Sequence, residues 1–171
     1  MRNIVALMGL VIVLGFVNWS ILGKEQHLAD GDVVYLKLAP IDPRSLMQGD
    51  YMALRFAMAD AVYEALPKAD DSKRWRQQVE APDGKVVVSI DDKNVASFRR
   101  IHGDEVLAAA EKLIKYRVRN SQVKFATNAF FFEEGQGSVY ESALYGQFRV
   151  DSDGELLLVA MYDKDLNELA P

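Results

Sequence analysis

One short segment, residues 40–51, concentrates the side chains that could recognise or transform another molecule. The candidate residues in it are two acids, an arginine, a serine and a glycine: Asp42, Arg44, Ser45, Gly49 and Asp50. Such residues often serve only the turn itself, because an arginine between two acids can close it by paired hydrogen bonds and a glycine can adopt positive φ. A loop displayed by a rigid strand pair is also the usual place for recognition. We therefore take this segment, with Tyr51 and Leu54 of the strand that follows, as the candidate binding site.

Three carboxylates form a second candidate. Glu133 and Glu134 follow three phenylalanines, and Glu141 lies seven residues after Glu134. Two carboxylates in an apolar pocket can differ in pKa and act as acid and base. The alternative is structural: Phe130–Phe132 fill the core, while the acids face water or pair with basic residues, namely Lys115, Arg117, Arg119 or Lys124.

Composition excludes several other kinds of site. The chain has no cysteine, so disulfides, thiolate catalysis, iron–sulfur clusters and cysteine-type zinc sites are excluded. His27 and His102 lie far apart without ligand spacing, and the glycines at 135 and 137 lack the third glycine of a dinucleotide loop, so we expect neither metal nor cofactor. Without Arg2, 19 basic residues face 25 acidic ones, and this formal charge of −6 argues against nucleic acid as a partner.

A nineteen-residue apolar run near the N-terminus, Ile4–Leu22, contains no Asp, Glu, Lys or Arg. It determines where the candidate residues lie relative to a membrane. At about 1.5 Å per residue, its length matches a hydrocarbon core of roughly 30 Å. A cleaved signal peptide would be shorter and end in a small-x-small triplet, and a buried core helix would be unusual in first position. The sequence therefore predicts an uncleaved transmembrane anchor in the lipid bilayer over 1–23, a polar tether over 24–31 and a soluble domain over 32–171.

The flanking charges predict the orientation of this anchor. The amino terminus and Arg2 lie on one side, and Lys24, beside Glu25 and His27, lies on the other. Acids count for little in the positive-inside bias, so the margin is about one charge. It favours a cytoplasmic N-terminus and a periplasmic or extracytoplasmic domain.

Short alternating stretches predict the architecture of that domain. Strands are expected over 32–39, 50–56, 85–91, 95–101, 113–119, 144–150 and 155–162, with short apolar stretches at 123–126 and 129–132. Turns are expected at 91–94 and 151–154. Short helices are expected over 57–66, 103–112 and 138–143, and a charged, solvated excursion over 68–81. The predicted class is mainly β (α+β), a small barrel or sandwich behind one transmembrane helix.

At this point the chain resembles a known family. Residues 49–56 read GDYMALRF and resemble the signature of the GDYXXLXY family of bacterial membrane-anchored proteins, with Phe56 where the motif has tyrosine. Alternation along this stretch predicts that Leu54 and Phe56 face inward and that Tyr51 faces outward. The upstream DPRSLM of residues 42–47 also matches, as do the later segments 115–119, 130–135 and 140–146. The family has no assigned function. The resemblance implies one N-terminal membrane segment and a multi-pass partner in the same membrane. We therefore expect a non-catalytic accessory or interaction module in the inner membrane that acts with a multi-pass membrane or envelope protein.

A serine hydrolase is the alternative function. Membrane-anchored signal peptidases are also β-rich with one N-terminal anchor, and they carry a Ser-Met…Gly-Asp stretch just beyond it. Here Leu46 follows Ser45, the spacing to Gly49 is shorter, and the expected Pro-Thr is absent. A serine nucleophile needs a base within hydrogen-bond reach, so Lys85 or Lys93 would have to approach Ser45. We therefore expect interaction rather than catalysis.

Overall fold

The chain forms one long N-terminal helix followed by a strand-rich region. The structure, a computed structural model, describes residues 2–39, 51–67, 83–103 and 105–171. Within them lie helices α1 Arg2–Asp30, α2 Ala59–Ala65 and α3 Gly137–Tyr140. The strands are β1 Asp32–Lys37, β2 Tyr51–Ala53, β3 Gly84–Ile90, β4 Ala96–Ile101, β5 Glu111–Arg119, β6 Gln122–Lys124, β7 Ala129–Phe131, β8 Tyr145–Val150, β9 Leu156–Tyr162 and β10 Glu168–Leu169. The predicted class, mainly β with a leading apolar helix, is confirmed.

Helix α1 contains the predicted apolar segment and extends beyond it. Its stretch Leu7–Asp30 is, in the described part of the chain, the one helix long and apolar enough to cross a membrane, with a mean hydropathy of 1.7. Large apolar side chains such as Phe16 and Trp19 are exposed along it. The helix ends only at Asp30, so residues 24–30 of the predicted tether are helical.

The strands form two four-stranded antiparallel sheets and a two-stranded ribbon. One sheet has the order β1-β8-β9-β10, the other β4-β3-β5-β6, and β2 pairs with β7. Strand β1 shows why alternation predicted these elements: Val34 and Leu36 are fully buried, whereas Val33 and Tyr35 are half-buried and Lys37 is exposed. The sheets curl around a shared core, and a parallel bridge between Tyr35 and Val95 links β1 to the start of β4.

Three hairpin turns are closed by the same pattern of hydrogen bonds. An aspartate Oδ1 accepts hydrogen bonds from the backbone N–H groups two and four residues later, at 2.8–3.0 Å, in the turns after Asp91, Asp151 and Asp163. The third residue after each aspartate has a positive φ, and these residues are Asn94, Gly154 and Leu166. Asparagine and glycine tolerate this conformation, and leucine does not. The first two turns were predicted, and the third, which leads into β10, was not.

The predicted helix over 103–112 is wrong. No helix is assigned to its described residues, and Glu111 and Lys112 belong to β5. The Glu111 carboxylate accepts two hydrogen bonds from Arg100 of β4, at 2.6 and 3.1 Å, and one from the Ala108 N–H at 3.0 Å. Residues 108–110 are exposed, so a helix there would have no apolar face to bury. The ion pair therefore favours the strand.

The C-terminus of α1 is bonded to the domain. His27 is 9% exposed, and its Nε2 lies 2.9 Å from the Arg149 carbonyl oxygen on β8. In return, the Arg149 guanidinium donates to the Gly31 carbonyl at 2.9 Å. An added Cβ on Gly31 would lie 2.5 Å from the His27 carbonyl oxygen. Helix and sheet are thus closely packed at this junction, where the sequence had predicted a polar tether.

Candidate functional site

The structure describes part of the predicted binding segment. Asp42, Arg44, Ser45, Gly49 and Asp50 lie outside the described residues. Tyr51 begins β2, and Leu54 follows that strand. The geometry of the site is therefore that of β2 and its neighbours.

Strand β2 presents one aromatic side chain of the motif to solvent. Tyr51 pairs directly with Phe131 of β7, and their ring centroids are 5.7 Å apart. Tyr51 is 36% exposed and Phe131 is 73% exposed. We call these two side chains the aromatic pair. An exposed aromatic pair on a strand ribbon is a typical component of a protein-binding surface, where tyrosine and phenylalanine are enriched.

The alternate residues of the motif face inward and hold the ribbon in place. Leu54 is 4% exposed, and its N–H donates to the Asn128 carbonyl at 2.7 Å. Phe56 is equally buried and packs edge-on against Phe125 and Phe148, with centroid distances of 5.8 and 5.7 Å. The predicted inward orientation of Leu54 and Phe56 is confirmed. Leu54 and Phe56 are therefore part of the hydrophobic core.

Phe56 also explains the departure from the family motif. Its ring contacts two other phenylalanines in the interior, and a hydroxyl buried there would need a hydrogen-bond partner. The ring of Phe148 comes from β8 of the first sheet, whereas Phe125 follows β6 of the second. Phe56 thus packs against residues of both sheets and helps to hold them together.

The three predicted carboxylates lie on the surface. Glu133, Glu134 and Glu141 are all exposed, and Glu133 accepts a hydrogen bond from the Gln136 side chain at 3.1 Å. They follow an aromatic cluster in which the Phe130 and Phe132 rings lie 5.0 and 5.2 Å from that of Tyr140. The arrangement suits surface contacts better than proton transfer in a sealed pocket.

Two of the basic residues named as partners for these acids pair with other carboxylates. Lys115 bonds to Glu155 at 3.3 Å, and Arg119 holds Asp83 at 2.8 and 3.0 Å. The hydrogen bond from Arg119, with its positive charge, lowers the pKa of the Asp83 carboxyl below its ordinary value. Among the described residues, no group of three or more His, Asp or Glu side chains could hold a metal ion.

A small pocket lies beside the motif. Its volume is about 60 Å³, and Leu54, Arg55 and Tyr63 are among its lining residues. Pockets for organic ligands measure roughly 300–1,000 Å³. This one has room for water only, so surface contact is the better use of the motif.

Sequence reasoning missed two residues of this region. Phe131 had been assigned to the core with its neighbours, but within an alternating strand the middle residue of three phenylalanines must face the other way. That alternation was a usable signal. His27 gave no signal, because its partner Arg149 is 122 residues away.

The match to known proteins extends well beyond the eight-residue motif. A family model described as GDYXXLXY protein matches residues 13–161. The matched region begins inside α1 and ends in β9, so it includes every strand of both sheets except β10. Neither the curated proteins nor the solved structures gave a match.

Proposed function

The chain belongs to the GDYXXLXY family, and on that premise we propose that it is a single-pass, membrane-anchored interaction module, without catalytic activity, that binds a multi-pass membrane protein. Helix α1 lies in the inner membrane with its N-terminus in the cytoplasm. The strand-rich domain lies on the periplasmic side and carries the binding surface.

The observation that carries this proposal is the exposure of the aromatic pair. Phe131 leaves 73% of its surface in contact with water, although the strand that bears it is fixed by β2 and by the buried Leu54. Exposed apolar area is unfavourable in water and becomes favourable when a partner covers it. A rigid aromatic side chain loses little conformational entropy on binding, which suits it as an anchor.

The junction between α1 and β8 supports the proposal that the partner lies in the same membrane as α1. The apolar run ends at Leu22, and eight further helical residues reach Asp30, a rise of about 12 Å. His27 and Arg149 then hold the helix end against the sheet. A domain held in this way presents the same face to its neighbours in the membrane, and its acidic charge gives it no affinity of its own for anionic lipid.

The predicted orientation can be tested with single cysteines, because the chain contains none. Val106 is 93% exposed, so Val106→Cys provides a thiol on the domain, and Asn3→Cys provides one at the N-terminus. A membrane-impermeant maleimide should label the cysteine at position 106 in intact spheroplasts and the one at position 3 only after lysis. The reverse pattern would overturn the proposed orientation.

The partner can be tested by co-purification from solubilised membranes. Wild-type protein should retain a multi-pass membrane protein that a Tyr51→Ser/Phe131→Ser variant loses. Tyr63→Ser is the matched control, because Tyr63 is a 45% exposed tyrosine on α2. Equal recovery from all three proteins would exclude the aromatic pair as the binding surface.

A further inference from the structure

We propose that a cleft beside β5, away from the aromatic pair, binds the carboxylate or phosphate group of a small organic anion. The cleft has a volume of about 490 Å³. Its charged lining residues come from three places, the start of β3, the middle of β5 and the start of β9: Asp83, Lys85, Lys115, Arg117 and Glu155. Its volume lies within the range of roughly 300–1,000 Å³ for small-molecule sites.

The strand register brings the cations together. Lys85 of β3 lies directly opposite Lys115 of β5, and Arg117 follows two residues after Lys115 on the same face. Arg117 in turn lies directly opposite Lys124 of β6. The β5–β6 turn fixes this register, because both of its residues, Asn120 and Ser121, have positive φ values as in a type I′ hairpin.

Ion pairs with described acids engage the two lining lysines but not Arg117, whose positive charge contributes only at longer range to the lowered pKa of Asp83. Lys115 bonds to Glu155 at 3.3 Å, and Lys85 lies 3.9 Å from Asp153. Asp83 is held by Arg119, through two hydrogen bonds. Among the described carboxylates, none lies within ion-pair distance of Arg117.

Arg117 is also oriented for binding. One of its terminal nitrogens, Nη2, donates to the Ala126 carbonyl at 2.6 Å, which anchors the guanidinium at the cleft. Its other N–H groups are available, and a planar guanidinium matches a carboxylate or phosphate by paired hydrogen bonds. Like charges directly opposite each other on paired strands are destabilising, so an anion at Arg117 would relieve its repulsion with Lys124.

The remaining wall of the cleft limits the kind of ligand. Tyr116 and Leu156 also line it, but they are only 4% and 6% exposed and so offer little apolar surface to a ligand. The charge surplus is small, since three lining cations face two lining acids. This combination fits a small organic acid or phosphate ester held mainly through its charged group, and it does not fit a polyanion.

The test uses the full chain in detergent micelles and two probes, glutarate and inorganic phosphate, followed by calorimetric titration. At least one probe should bind, and Arg117→Gln should weaken that binding about tenfold or more, because a hydrogen bond to a charged group contributes that much. Lys93→Gln is the control: Lys93 is an exposed lysine in the β3–β4 turn, away from the cleft. Binding of glutarate alone identifies carboxylate ligands, and binding of phosphate alone identifies phosphate ligands.

Two results would overturn the proposal. One is failure of both probes to bind, and the other is equal binding by wild type and Arg117→Gln. If Arg117→Gln does not fold, Lys85→Gln replaces it, because Lys85 lines the same cleft and its weak contact with Asp153 is dispensable. The Lys85→Gln variant should weaken binding in the same direction.

Discussion

The Nε2 of His27 lies 2.9 Å from the backbone carbonyl oxygen of Arg149, across 122 residues of sequence. A carbonyl can only accept, so Nε2 carries the proton and donates it. Arg149 completes the junction by donating to the Gly31 carbonyl. Through these two bonds the helix proposed to lie in the membrane and the second strand of the first sheet hold each other.

Replacing His27 should weaken this junction. His27→Ala leaves the Arg149 carbonyl without its side-chain donor, and an unsatisfied buried group costs about 1–3 kcal/mol. Urea unfolding of the protein in micelles should show that loss, with faster hydrogen exchange at the Gly31 amide, which donates to the His27 carbonyl. Glu25→Ala is the control, because Glu25 is exposed on the same helix. If both variants unfold alike, the junction does not stabilise the domain.

Restoring the family tyrosine should destabilise the core. Phe56 is 4% exposed between Phe125 and Phe148, so the hydroxyl added by Phe56→Tyr would be buried among rings. We expect a loss of about 1–3 kcal/mol in the free energy of unfolding. Phe131→Tyr makes the same change at a 73% exposed site and should leave stability unchanged. A Phe56→Tyr variant as stable as wild type would contradict our explanation of the departure from the motif.

Relieving the backbone strain in the turn before β10 should stabilise the protein. Leu166 has a φ of 61°, a left-handed conformation that costs leucine about 1–2 kcal/mol and asparagine less. Asn94 occupies the equivalent position of the β3–β4 turn. Leu166→Asn introduces the same residue type and should raise the melting temperature. Leu166→Ala retains the Cβ atom and should give no such gain. A loss of stability with Leu166→Asn would show that the leucine side chain matters more than the strain.

Stability should fall at alkaline pH through Tyr162. Burial, together with the neighbouring Tyr35 and Glu168, raises the pKa of Tyr162 to about 12. The folded state therefore prefers the neutral phenol, and this contribution is complete below the unfolded pKa of about 10. It should be lost as the pH rises from about 10 towards 12. Tyr162→Phe should flatten that part of the pH profile, and Tyr63→Phe, at an exposed position, should leave it as in wild type.

Local patterns were enough for much of the fold. Strands β1 and β5 were predicted because one face of each is buried, which forces polar and apolar residues to alternate. The turns after Asp91 and Asp151 were predicted because their residues favour turns in any context. These elements are determined by near neighbours in sequence.

The errors have distant causes. Glu111 belongs to a strand because it bonds to Arg100, whereas the local alanines favoured a helix. Residues 24–30 are helical up to a terminus that packs on β8 through His27. The contact of Phe131 with Tyr51 depends on the pairing of β2 with β7, which the sequence did not reveal. Part of the candidate site was thus identifiable from its motif, but the aromatic pair required the pairing of these two strands.

The most direct test of the proposed function is photocrosslinking from position 131 in intact membranes. A photoreactive phenylalanine analogue at Phe131 should crosslink to one multi-pass membrane protein, and the same analogue at Tyr63 should not. Both positions are exposed aromatic sites in the same domain, so they sample the same surroundings except for the proposed interface. Recovery of only lipid, or of the same scattered neighbours from both positions, would contradict the account.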